Sequence, residues 1–158
     1  MPDHPTPGIS DPSCIFCKII AGEVPCHKVY EDDRVLAFLD IAPLSRGHTL
    51  VIPKEHYATI DQVPAEDASA VGRIFPILSK AIMQATGATA WNLLQNNGEQ
   101  AGQDVHHVHF HLIPRLPGTN RKESTPGAGL PATSWPAGEV DDDETAELAS
   151  KVMKSVRL

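Results

Sequence analysis

Several features are missing from this chain, and each absence narrows what it can be. No apolar run in its 158 residues approaches the roughly 18–20 that a membrane-spanning helix needs. There is no basic excess: 13 lysines and arginines stand against 20 aspartates and glutamates, for a formal net charge of −7. That balance gives no footprint for nucleic acid or for an anionic membrane, so an anionic ligand needs a local site rich in N–H groups or positive charge. Cysteine is scarce, with Cys14, Cys17 and Cys26 alone, an odd number that builds no disulfide framework. Internal repeats are absent. The opening "MPDHPTPGISDPS" lacks the basic and then apolar regions of a signal peptide, so the expected location is cytoplasmic. What remains is an ordinary globular composition, 41% hydrophobic and 21% charged, at a length that suits one domain around one core.

The elements follow from periodicity and punctuation. Residues 1–13 read as a flexible arm dominated by proline and glycine. "IFCKIIAG" reads as a short helix stopped by Gly22. "HKVYEDDRVLAFLD" reads as a hairpin turning at Asp32–Asp33, and "HTLVIP" as a β-branched strand ending at Pro53. From Pro64 to Thr86 the apolar residues Val71, Ile74, Phe75, Leu78, Ile82 and Ala85 recur at helical steps, with Gly87 suited to the end. Pro76 inside that pattern is expected to kink or split the helix. "TAWNLLQN" is strand-like, "NGEQAGQ" a glycine-bearing loop, and "HVHFHLIP" an alternating strand. A single long-helix crossover favours an α+β domain with about five mostly antiparallel strands, one long helix and one short. Residues 117–158 read as a C-terminal extension, an irregular Pro/Gly/Ser/Thr-rich tail followed by a terminal helix with acids at its start and bases at its end. Residues 14–116 form the domain proper.

The chemistry gathers in "DVHHVHFHLIPR". Alternation along a strand puts His107, His109 and His111 on one face and Val108, Phe110 and Leu112 on the other. His106 falls out of phase and reads as a loop-end residue. Imidazole can act as nucleophile, acid/base or metal ligand. The glycine loop just upstream can turn tightly and present N–H groups to a phosphate. Cys14-x-x-Cys17 is half a zinc site, with His48, His56 and His107 as candidates to complete it. A thioredoxin-like redox pair is disfavoured by the missing βαβ context. Cys26 reads as a partly buried structural thiol.

"HVHFHLI", together with "CIFCKIIAGEVP", "VLAFLDIAPLSRGHTLVIPKEH" and "NLLQNNGEQAGQDVHHVHFHLIPR", resembles the histidine triad (HIT) superfamily over roughly residues 14–116. The likeness is greatest to the Hint-like phosphoramidase branch in its bacterial, zinc-carrying form. The resemblance implies a HIT-like fold and hydrolysis at the α-phosphorus of purine nucleoside phosphoramidates, such as adenosine monophosphoramidates. It implies His109 as the nucleophile that becomes nucleotidyl-histidine, His111 as phosphate ligand, and His107 as the third triad histidine. Asp40 would hold the ribose, with Ile41 and Phe38 near base and sugar, and Asn96, Gly102 and Gln103 would line the phosphate loop. A structural zinc would be held by Cys14, Cys17, His56 and His107, and His48 would lie on the active-site side of its strand. Asp104 stands where such enzymes often carry a phosphate-contacting serine, so only its backbone N–H is expected to reach the nucleotide. The partners implied are an AMP or GMP moiety and a second copy of the chain, sharing a ten-stranded sheet.

Competing readings are a dinucleoside polyphosphate or acyl-adenylate hydrolase and a nucleotide-binding module with vestigial activity. A zinc-dependent nucleic-acid binder is opposed by the acidic charge. Trp135 could reach an active-site mouth, although packing on its own domain is the plainer expectation.

Overall fold

The computed structural model describes residues 10–116 and 141–158. A five-stranded antiparallel sheet forms its centre, in the order β1-β2-β3-β5-β4. The strands are β1 (Lys28–Glu31), β2 (Val35–Leu39), β3 (Thr49–Pro53), β4 (Ala90–Gln95) and β5 (Phe110–Arg115). The helices are α1 (Ile15–Ile20), α2 (Ala65–Thr86) and α3 (Asp142–Ser155). The strands β1 to β3 form one meander and β4–β5 a second antiparallel pair. They join where β3 meets β5, through Thr49↔Leu112, Leu50↔His111 and Val51↔Phe110.

The nearly unbroken apolar runs of β2 (VLAFL) and β3 (TLVIP) explain why both are buried along their whole length. One set of side chains, Val35, Ala37, Leu39 and Val51, packs with Leu78, Ile82 and Leu112 in a core beneath α2 and α3. The other set, Leu36, Phe38, Leu50 and Ile52, packs with Cys14, Phe16, Cys17 and Ile19 of the α1 segment. The sheet is thus covered on both faces, and the α1 side carries the chemistry.

Helix α2 presents Val71, Ile74, Leu78 and Ile82 to the sheet and ends on Gly87, whose left-handed φ of 77° lets its N–H reach the Met83 carbonyl. Only glycine holds that conformation without strain. The expected split at Pro76 does not occur: the helix runs unbroken through it. Pro76 and the preceding-turn Gly72 are both exposed, so the Gly72 carbonyl that lost its partner faces water, where the loss costs least.

Three boundaries differ from the sequence reading. The strand expected over "HVHFHLIP" begins only at Phe110, leaving His107 and His109 on the approach to it. There the Val108 N–H donates to the Tyr57 carbonyl instead of to a sheet neighbour. The end of the expected flexible arm is ordered, because Asp11 caps a turn by accepting from the Ser13 N–H and hydroxyl. The terminal helix α3 is no appendage. Leu148, Ala149 and Val152 lie in the same core as α2, and Asp142 pairs with His27 at 2.8 Å. Trp135 and the irregular tail lie outside the described residues. Among the described residues no helix is long and apolar enough to cross a membrane.

Candidate active site and metal cluster

Two side-chain clusters lie side by side under α1. The first joins four donors from three parts of the chain. Cys14 and Cys17 begin α1, His56 follows β3, and His107 precedes β5. Their donor atoms lie within 4.8 Å of one another. The closest pairs are Cys17 Sγ to His56 Nδ1 at 3.4 Å, Cys14 Sγ to His107 Nδ1 at 3.5 Å and Cys17 Sγ to His107 Nδ1 at 3.6 Å. A tetrahedral ion bound at about 2.3 Å to sulfur and about 2.0 Å to nitrogen separates its S and N donors by about 3.5 Å. The cluster therefore has the dimensions to hold a metal ion. The hydrogen bonding agrees, since His107 Nε2–H donates to the Pro53 carbonyl at 2.8 Å and leaves the Nδ1 lone pair aimed at the sulfurs. Burial pushes the Cys14 thiol up, so a thiolate there calls for a cation.

The second cluster contains His109, His111, His48 and Asp40. The ring of His109 is 3% exposed and stands edge-on to Phe16 at 5.2 Å. Its Nδ1–H donates to the His107 carbonyl at 2.7 Å, which leaves Nε2 with the free lone pair. His111 lies 5.0 Å away between ring centroids and receives a hydrogen bond at Nδ1 from His48 Nε2, 2.9 Å distant. His48 Nδ1 in turn accepts from the Leu44 N–H at 3.0 Å. This chain fixes both tautomers: His48 carries its proton on Nε2, and His111 carries its own on Nε2, pointing onward. Burial holds both imidazoles down at about 3, so at neutral pH they are uncharged donors. Asp40 Oδ2 sits 3.6 Å from His48 Nε2, and its Oδ1 accepts from the Ala42 N–H. Asp40, His48 and His111 are also close enough to surround an ion. The Leu44 bond argues against one, because it keeps a proton on the nitrogen that an ion would need.

The glycine loop completes the site. Gly98 and Gly102 both hold positive φ, 86° and 90°, around a turn at Glu99–Ala101. Asn96 Nδ2 lies 3.5 Å from the Gly102 carbonyl. Gln103, expected to line the phosphate loop, lies at its end with the side chain turned inward. It is 4% exposed, accepts from the Gly98 N–H, and donates to the Ala58 and Val105 carbonyls. Its amide braces the loop and has nothing left for a ligand. Phe38 is a core residue, packed edge-on against Phe16, whereas Ile41 is 77% exposed beside Asp40. His106 is exposed near Glu99. Asp104 does not turn away: its Oδ1 is 3.6 Å from His109 Nε2, and a proton on that nitrogen, by hydrogen bond and charge, holds the carboxyl down at about 2.

Sequence reasoning did not single out Phe16 as the wall against both His107 and His109, nor the bond from His48 to His111. The position of Phe16 between the two cysteines was the available signal for the first. The second needs the β3–β5 register, which no local pattern encodes.

Comparisons with known proteins agree with this geometry. A family model described as the HIT domain matches residues 21–118. An adenosine 5′-monophosphoramidase of Schizosaccharomyces pombe is 41% identical over 145 residues, covering 92% of this chain and 99% of that protein. An adenylylsulfatase of Arabidopsis thaliana is 53% identical over 102 residues, covering 65% of this chain; the match spans only about half, 52%, of that relative. A zinc-bound histidine triad family protein from Mycobacterium smegmatis superposes with a TM-score of 0.73 at 30% identity, covering 90% of this chain and 92% of that one. With the sheet, the histidine row and the glycine loop in place, the chain belongs to the HIT domain family, in its Hint-like branch.

Proposed function

We propose that this protein hydrolyses purine nucleoside phosphoramidates at the α-phosphorus through a nucleotidyl-histidine on His109. The observation that carries this reading is the 2.7 Å bond from His109 Nδ1–H to the His107 carbonyl. It aims a lone pair on Nε2 outward, as a nucleophile requires. In the first step the Nε2–P bond forms and the bond from phosphorus to the leaving amine breaks. The amine departs with a proton taken from solvent, and the Nε2–H of neutral His111 is the donor we assign to the phosphoryl oxygens. In the second step water attacks the same phosphorus and gives up a proton to solvent, the P–N bond breaks to return the lone pair to His109 Nε2, and the nucleoside monophosphate leaves. The N–H groups of Gly98, Ala101, Gly102 and Gln103 are used within the loop, so the loop serves by shaping the wall beside the phosphate, and we assign Asp40 to the ribose hydroxyls.

The phosphoramidase relative from fission yeast supports an amine leaving group. The adenylylsulfatase relative favours a second reading, in which the bond broken is an anhydride. His109→Ala should lose turnover by at least about a thousandfold while its circular dichroism and melting curve stay unchanged. Hydrolysis of a fluorogenic adenosine phosphoramidate at the wild-type rate by that variant would remove His109 from the mechanism.

Zinc is the metal we assign to Cys14, Cys17, His56 and His107, a closed set of the kind that serves structure. When bound, it supplies rigidity by tying α1 to the segment that carries His109. Elemental analysis of protein purified without added metal should give one zinc per chain, lost in Cys14→Ser. Metal-free protein of full stability would rule the zinc out. A homodimer accords with the outer strand β4, where Trp91 is 46% and Leu93 50% exposed. Sedimentation at micromolar concentration should find twice the chain mass.

A further inference from the structure

Asp104 is the one ionised group at the reaction centre to which the proposed mechanism gives no task. Its side chain is 67% exposed while the neighbouring His109 side chain is 3% exposed, so the carboxylate stands at the mouth and the nucleophile behind it. It is held in that place, since Oδ1 accepts the Val105 N–H at 2.9 Å and the preceding Gln103 is locked by three hydrogen bonds. Among the described residues no lysine or arginine pairs with it. Asp40 adds a second carboxyl close enough to feel its charge. An anionic phosphate must therefore approach His109 past a fixed negative charge.

We propose that Asp104 sorts substrates by the charge on their leaving group, favouring amines that carry a further positive charge and rejecting anionic ones. This rests on the hydrolase reading above. The α-phosphate is common to every substrate, so its repulsion by Asp104 cancels when two substrates are compared. The leaving group does not cancel. In-line attack begins with Nε2 about 3–3.5 Å from phosphorus, which places charges on a short leaving group about 7 Å from a carboxylate that is itself 3.6 Å from Nε2. Two unit charges at about 7 Å differ in effect by between about threefold and fiftyfold per charge, according to how much water lies between them. The preferred substrate class is a nucleoside phosphoramidate of a diamine or of a basic amino acid. Sulfate, pyrophosphate and other anionic leaving groups are the disfavoured class.

The test uses three adenosine 5′-phosphoramidates on alkyl chains of equal length, ending in an ammonium, a neutral amide or a carboxylate. The specificity constant kcat/KM is measured for the wild type and for Asp104→Asn, which keeps an oxygen for the Val105 N–H. The control is Asp33→Asn, which makes the same change in total charge at an exposed turn remote from the site. The wild type should prefer the ammonium substrate to the carboxylate by about tenfold or more. That ratio should fall at least threefold in Asp104→Asn, and should be unchanged in Asp33→Asn. Equal ratios in wild type and Asp104→Asn would overturn the sorting role while leaving the hydrolase standing. An equal fall in Asp33→Asn would assign the preference to overall charge and overturn it too. Turnover of none of the three by the wild type would defeat the hydrolase reading, and the sorting with it.

Discussion

At the scale of single residues, the site depends on polar groups that have no spare capacity. Gln103 is the clearest case. Its amide spans the Gly98 N–H, the Ala58 carbonyl and the Val105 carbonyl, so it ties the glycine loop to the segment that follows His56. Replacing it with leucine keeps the volume and leaves three polar groups unmatched. Since each buried group without a partner costs about 1–3 kcal/mol, Gln103→Leu should lose about 2–4 kcal/mol in urea denaturation and raise KM more than it lowers kcat. A loss under about 0.5 kcal/mol would mean water replaces the amide. This role was not legible in the sequence, where Gln103 is only a polar residue beside a glycine. Its main partner, Ala58, lies 45 positions away. The histidine row was legible as chemistry because alternation is a local signal. The separate roles proposed for its rings rest on the family resemblance and not on the alternation, because each ring's tautomer is set by a carbonyl, an amide or another ring brought in by the fold.

At the scale of elements, periodicity located the helices and strands and missed what their ends do. Helix α2 is readable from its apolar stripe, but the effect of Pro76 is not, because its cost depends on whether the orphaned carbonyl can reach water. The start of β5 is hidden for a related reason: alternation continues through His107 and Val108, while the Val108 N–H pairs with Tyr57 instead of a sheet neighbour. Helix α3 carries few apolar residues. Three of them, Leu148, Ala149 and Val152, are each 5% exposed or less, and they close the α2 core. Leu148→Ala should therefore cost about 2–4 kcal/mol, a shift of about 4–16 °C in melting temperature for a chain of this size. An unchanged melting temperature would show that the core closes without α3.

At the scale of the whole molecule, acid acts through the buried histidines. Unfolded histidine titrates near 6.5, while His48 and His111 are held down at about 3 in the folded chain. Between those values the unfolded chain binds protons that the folded chain refuses. Stability is complete above pH 6.5 and falls as the pH drops toward 3. At pH 5 each ring accounts for about 2 kcal/mol, and the hydrogen-bonded pair together for about 2–4 kcal/mol. Asp104, held low, loses stability in the same direction further down, and Asp40, raised by burial, works against it. Urea midpoints at pH 7.5, 6 and 5 should decline steadily. A flat series would mean that neither ring is held uncharged in the folded state.

The junction of β3 with β5 sets the order in which the molecule becomes functional. The meander β1–β3 and the pair β4–β5 each form from neighbouring chain, whereas Leu50 meets His111 across a gap of 61 residues. Both side-chain clusters straddle that junction, with Cys14, Cys17, His48 and His56 on one side and His107, His109 and His111 on the other. Loop closure over such a distance is a slow event relative to local pairing. The active site is therefore assembled by the final closure of the sheet. A nascent chain that has not yet reached His107 holds neither cluster complete, and the first turnover during refolding marks the moment the two halves have joined.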